Sequence, residues 1–208
     1  FYAYSLIPAK GNATLFINEE KVPADLKEQL AEEGVVLAPY HSVGAALASL
    51  SSGTVLADPE EINASLLSRL PEQITQLELP NPIELMKALK TPEEIELISE
   101  AMLKDGVALV RFFAWLDRNL GKEEMTEQSL ADKLLYFRKS LPGYISLSFE
   151  TISAFGPNAA LPHYQPEKTG GAQIRGNGFL LIDSGAQFPE GTTDITRTKL
   201  IGEATDLM

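Results

Sequence analysis

Short apolar runs alternate with helical stretches through the first 80 residues. Residues 1–7 (FYAYSLI) and 13–17 (ATLFI) read as strands. Residues 23–33 read as a helix, with Leu26 and Leu30 four apart on one face and Gly34 as its stop. A strand at 35–38, a short helix at 43–50 and a strand at 54–57 follow. Asp58, with Pro59 behind it, predicts a capped helix to about residue 70, and 74–79 is a further strand. Such repetition predicts an α/β layer with a mostly parallel sheet. Pro80-Asn81-Pro82 punctuates the pattern, which predicts domains at 1–81 and 82–208.

Beyond that point a short helix is expected at 83–88. Thr91-Pro92-Glu93-Glu94 is a complete helix start, and Ile95, Ile98, Met102, Leu109, Phe112, Phe113 and Leu116 follow with helical period to about Asn119. A second helix runs from about Thr126 to Ser140, ended by Pro142-Gly143. The character then changes to strands: 148–153, a Gly-Pro-Asn turn at 156–158 and a glycine-rich loop at 168–178. Strands at 178–184 and 193–201 close the chain, joined by Phe188-Pro189-Glu190-Gly191 as a hairpin. The opening on Phe1 and the stop just past this hairpin are those expected of a piece cut from a longer protein.

Composition narrows the function more than the fold. Hydrophobic residues make up 44% and charged residues 22%, as in folded globular proteins. No run is long enough to span a membrane, and the start lacks the basic-then-apolar pattern of a signal peptide. The net charge of -12 argues against nucleic-acid binding. With no cysteine and only His41 and His163, a thiol site or a histidine-rich zinc site is excluded from this chain. His41 reads as a surface or domain-packing residue. Trp115, Phe112 and Phe113 read as core.

The hairpin is the informative region for chemistry. The apolar run 179–182 delivers Asp183, and the return strand carries Asp194 between Thr193 and Ile195. An acid after four apolar residues is costly unless its charge is matched. Carboxylates from the two strands of a hairpin can lie side by side, where a divalent cation (Mn²⁺, Mg²⁺ or Zn²⁺) removes their repulsion. The alternative is structural: Asp183 starts a turn with Ser184 and Gly185, while Asp194 pairs with Arg197 or Lys199. Spacing alone favours that alternative.

The wording around the acids changes the balance. Residues 181–187 (LIDSGAQ) and 191–198 (GTTDITRT) closely resemble the metal-site hairpin of the pita-bread metallopeptidases, in the aminopeptidase P variant. Ser148-Phe149, Thr151-Ile152-Ser153, Gly156-Pro157-Asn158-Ala159 and His163-Tyr164 match the same family in the same order. The helix segments 104–109 (KDGVAL), Thr126-Glu127 and 131–133 (ADK) fit as well. The resemblance is strong over 83–202 and weaker over 1–80, which is similar to the latter part of a middle, creatinase-N-terminal-like domain. It implies an α/β (α+β) chain in which that part precedes an incomplete pita-bread catalytic domain.

The resemblance also implies roles. Asp183 is expected to bind one metal through both oxygens and Asp194 to bridge two, usually Mn²⁺. His163 is expected at the substrate pocket, and Thr196 and Arg197 as supports of the carboxylates. The parent is expected to hydrolyse the N-terminal Xaa-Pro bond with metal-activated water, on peptides with proline second, as a cytoplasmic homodimer. The family site needs a further histidine and two glutamates past the hairpin, where only Glu203 and Asp206 remain. This chain alone is therefore expected neither to hold both metals nor to be active. A prolidase- or creatinase-like hydrolase and a non-catalytic pita-bread binding protein are the other readings.

Overall fold

The computed structural model describes residues 2–167, 169–204 and 206. Phe1 of the first expected strand and Lys168 of the glycine-rich loop lie outside them. The chain divides into two units, 1–89 and 90–208.

In the first unit, β1 (Tyr4–Leu6), β2 (Ala13–Ile17), α1 (Ala24–Glu32), β3 (Val35–Pro39), α2 (Val43–Ala48), β4 (Thr54–Ala57), α3 (Ala64–Leu67), β5 (Thr75–Glu78) and α4 (Pro82–Ala88) follow in order. β2 pairs with β3 in parallel and with β1 antiparallel, while β4 and β5 form a separate parallel pair. The expected single layer is thus two small sheets. The helix expected from Asp58 to residue 70 is reduced to the four residues of α3. Asp58 spends its carboxylate elsewhere: Oδ1 accepts from Glu60 N at 3.0 Å and Oδ2 from Asn81 N at 3.0 Å. Residues 58–62 close a turn instead, and Asn63 takes over as the cap, accepting from Ser65 N at 2.8 Å.

The second unit begins with α5 (Pro92–Asn119), opened by the expected capping box between Thr91 and Glu94. Next come α6 (Glu127–Lys139), β6 (Ser146–Leu147), β7 (Ile152–Phe155), a 3-10 turn over Gly156–Ala160, β8 (Gly178–Ser184), β9 (Ala186–Phe188), β10 (Gly191–Thr192) and β11 (Ile195–Ile201). The strand expected at 148–153 is broken: β6 pairs with β9 and β7 with β8, and residues 148–151 lie outside both strands, Ser148 N still donating to the Gly185 carbonyl at 3.2 Å. The two sheets have the orders β10-β9-β6 and β11-β8-β7. The hairpin register is nonetheless unbroken, from Gly191↔Phe188 through Ile195↔Ser184 and Thr196↔Asp183 to Ile201↔Gly178. The break falls at Gly185. A Cβ there would overlap the Thr193 carbonyl and the Ser148 hydroxyl, which hydrogen-bond each other at 2.9 Å.

One face of this sheet packs on the two helices. Leu109, Phe112, Leu116, Leu130, Leu134, Leu180, Ile182 and Ile195 share its core. Burial of each large side chain contributes about 1.5–3 kcal/mol. Ile95 and Met102, expected on the buried stripe of α5, are exposed, and Ala101 is buried instead. The hairpin lies over this turn of α5: a Cβ on Gly191 would sit in ordinary contact, 3.8 Å from the Ala101 Cβ. Lys104 ties the same end down, its Nζ lying 2.6 Å from Glu190 Oε1. That ammonium holds the Glu190 carboxyl below the usual carboxylate range.

Next to Lys104 on α5, Asp105 is fully buried among charged and polar partners. Arg138 of α6 donates to it twice, Nε to Oδ1 at 2.7 Å and Nη2 to Oδ2 at 2.9 Å. Thr193 Oγ1 donates to Oδ2 at 2.6 Å and accepts from Ala186 N at 2.9 Å. Removing one member of a buried ion pair strands the other charge, at about 3–5 kcal/mol. Asp105→Ala is therefore expected to lower unfolding stability by about 3–5 kcal/mol in denaturant titration. Gly185→Ala is expected to cost about 1–3 kcal/mol or more in the same assay through forced overpacking.

Candidate active site

Asp183 and Asp194 sit where the hairpin is kinked. Ile182 and Ser184 on β8 are buried toward the helices, so Asp183 points to the opposite face, where it is half-buried. It lies across from Thr196 on one side and Ile152 on the other. Thr196 Oγ1 donates to Asp183 Oδ1 at 2.8 Å. The register puts Asp194 opposite Gly185 and two residues before Thr196, hence on the same face as Asp183. Such diagonal neighbours lie about 7–8 Å apart at the backbone, within reach of a shared ion. Among the described residues no hydrogen bond or ion pair engages the Asp194 carboxylate. Lys199 meets Asp117 at 2.8 Å, and Arg197 Nη1 donates to the Thr196 carbonyl at 2.7 Å. Two hard oxygen donor groups on one face suit Mn²⁺ or Mg²⁺ chemically. Among the described residues no three acidic or histidine side chains form a metal-sized cluster.

His163 is on a separate loop. β7 runs from Ile152, beside Asp183, to Phe155, beside Leu180, so the loop leaves the sheet roughly 10 Å along the strand from Asp183. Among the described residues no hydrogen bond or ion pair joins His163 to either acid. Its side chain is exposed and its φ is 58°, the one non-glycine with positive φ among the described residues. Pro162 precedes it, and Tyr164 N donates to the Leu161 carbonyl at 3.3 Å to close the turn. His41 lies edge-on to Tyr40 at 5.4 Å, in the first unit.

A residue given no role from the sequence, where it figured only in the Thr126-Glu127 helix start, organises this loop. Glu127, the first residue of α6, is fully buried. Its Oε1 accepts from Phe155 N at 2.7 Å and Asn158 Nδ2 at 3.0 Å, and its Oε2 from Tyr164 Oη at 2.7 Å and Ala172 N at 2.7 Å. The free amides of the first turn of α6 are met in return, Glu127 N by the Ala172 carbonyl and Gln128 N by that of Gly170, each at 3.0 Å. Burial alone would raise the Glu127 carboxyl, but the donors from Tyr164, Asn158, Ala172 and Phe155 outweigh it and hold it below 4.5. The Tyr164 phenol is pushed up to about 12 by burial and by its bond to Glu127.

Residues 96–208 match metallopeptidase family M24, and residues 1–94 match the creatinase/prolidase N-terminal domain. The chain belongs to metallopeptidase family M24, with the two parts in the order expected from the sequence. A probable Xaa-Pro aminopeptidase P of Sordaria macrospora is 36% identical over 219 residues, covering 99% of this chain and 35% of the relative. The Xaa-Pro aminopeptidase ApepP of Drosophila melanogaster is 36% identical over 212 residues, covering 99% of this chain and 34% of that protein. The crystal structure of the Caenorhabditis elegans X-prolyl aminopeptidase, described as a cytosolic enzyme with a di-nuclear active site, superposes with a TM-score of 0.84 at 32% identity. It matches 95% of this chain and 33% of its own. The chain thus spans about a third of the length of these relatives.

The buried pair has a pH signature. The folded-state pKa of Glu127 is depressed, so its contribution is complete above the unfolded value near 4.5 and is lost as pH falls through the lower folded value. That of Tyr164 is raised, so its contribution is complete below 10.0 and is lost as pH rises through about 12. Ultraviolet titration is expected to show one phenol ionising near 12 that disappears in Tyr164→Phe.

Proposed function

We propose that this chain carries the first two metal-binding acids and a substrate-facing histidine of an Xaa-Pro aminopeptidase. The observation that carries the reading is the unbroken hairpin register, which makes Asp183 and Asp194 same-face neighbours in a chain of family M24. In this reading Asp183 binds one ion and Asp194 bridges two. Thr196 fills one lone-pair site on Asp183 Oδ1 and so fixes its orientation, while Asp194 keeps both oxygens for ligands. Asp183 and Asp194 would help to hold a pair of divalent ions, Mn²⁺ in this proposal, which would supply a water of lowered pKa and polarise the scissile carbonyl. His163, exposed on its turn, takes the substrate side and holds the peptide or the developing oxyanion. The substrates are peptides with proline second, whose bond lacks an amide hydrogen and has a fixed φ. A cytoplasmic homodimer is part of the same reading. No helix among the described residues is long and apolar enough to cross a membrane.

Two carboxylates supply fewer donors than a dinuclear centre takes, so this chain by itself is proposed to be inactive. Purified and supplied with Mn²⁺, the 208-residue chain is expected to release no N-terminal residue from an Xaa-Pro peptide; turnover would contradict this. In a longer protein that contains the chain and is active, Asp194→Asn is expected to abolish hydrolysis. Thr196→Val is expected to weaken metal affinity by about 10–100-fold, read by calorimetric titration.

A further inference from the structure

We propose that Glu127 is the positioning residue of His163: its carboxylate gathers donors from both sides of the Leu161–Tyr164 turn and so holds the histidine in its left-handed conformation. The proposal rests on the reading of His163 as the substrate-facing group. The left-handed region is unfavourable for a residue with a Cβ, so the surroundings must fix it. Here the two anchors are Asn158, whose carbonyl accepts from Leu161 N at 3.0 Å on the way into the turn, and Tyr164, which ends it. Both side chains reach Glu127, and Asn158 Nδ2 also donates to Tyr164 Oη at 3.0 Å. The other two donors, Phe155 N and Ala172 N, fix the carboxylate to the end of β7 and to the glycine-rich loop.

The group must be a carboxylate. Phe155 N, Asn158 Nδ2 and Ala172 N only donate, and they are spread over both oxygens. A glutamine amide, turned either way, would set its own N–H against at least one of them. The space is equally specific. Gly171 has φ +70°, and a Cβ there would lie 3.2 Å from the Glu127 Cβ and 2.5 Å from Oε2.

The test is proton NMR of the 208-residue chain, whose two histidines, His41 and His163, make the imidazole signals assignable. In Glu127→Gln the His163 signals are expected to broaden or move toward free-histidine positions while those of His41 stay. The Tyr164 phenol is expected to fall from about 12 toward 10.0. Tyr164→Phe and Asn158→Ala each cut one anchor and are expected to give smaller His163 shifts in the same direction; they decide the question where Glu127→Gln does not fold. Unchanged His163 signals in folded Glu127→Gln, or in both single-anchor variants, would overturn the proposal. Because no turnover is measured, failure of the peptidase reading would appear separately, as absent Xaa-Pro hydrolysis by a longer protein that contains the chain.

Discussion

The second unit depends on one buried carboxylate. Asp105 of α5 takes a two-pronged bond from Arg138 of α6 and a third from Thr193 of the hairpin, so three segments distant in sequence meet at one charge. Desolvating this pair is expensive, and the geometry offsets it with short bonds to both carboxylate oxygens. Thr193 passes the constraint on. Its hydroxyl accepts from Ala186 N across the hairpin and its carbonyl from Ser148, on either side of the glycine where the sheet breaks. Asp194 is the next residue. The clamp therefore fixes the backbone at the point from which the proposed bridging carboxylate projects.

The acids of this unit divide by environment. Asp105 and Glu127 lie wholly inside, with their oxygens filled by protein donors, and serve to hold backbone in place. Asp183 and Asp194 lie on the face of the sheet away from the helices, the first with one oxygen engaged by Thr196 and the second, among the described residues, with neither. Under the peptidase reading the filled acids build the frame and the unfilled ones are left for metal. On the same reading His163 is held by the frame through Glu127 rather than by Asp183 and Asp194, in keeping with a histidine on a loop with positive φ.

Much of this was legible in the sequence. The capping box and apolar period gave α5 its full length, and the wording around Asp183 and Asp194 pointed to the family. The failures have physical causes. The helix expected after Asp58 gave way because that carboxylate is shared with Asn81, a partner 23 residues away. The strand at 148–153 broke because Ser148 turns to the Thr193 carbonyl beside Gly185. Asp105 could have been noticed, since it falls in helical phase between Ala101 and Leu109, where an acid needs a buried partner. Glu127 was visible only within the Thr126-Glu127 segment that fits the family, and its burial was not: at a helix start an acid is ordinary, and its four donors come from segments up to 45 residues distant.

The most direct test of the clamp is a double-mutant cycle on unfolding free energy with Asp105→Asn, Thr193→Val and the two combined. If Asp105 seats the hairpin through Thr193, the two losses couple by about 0.5–3 kcal/mol, the double variant losing less than the sum. Losses that add to within about 0.5 kcal/mol would contradict it, because the hairpin would then be held independently of the buried carboxylate.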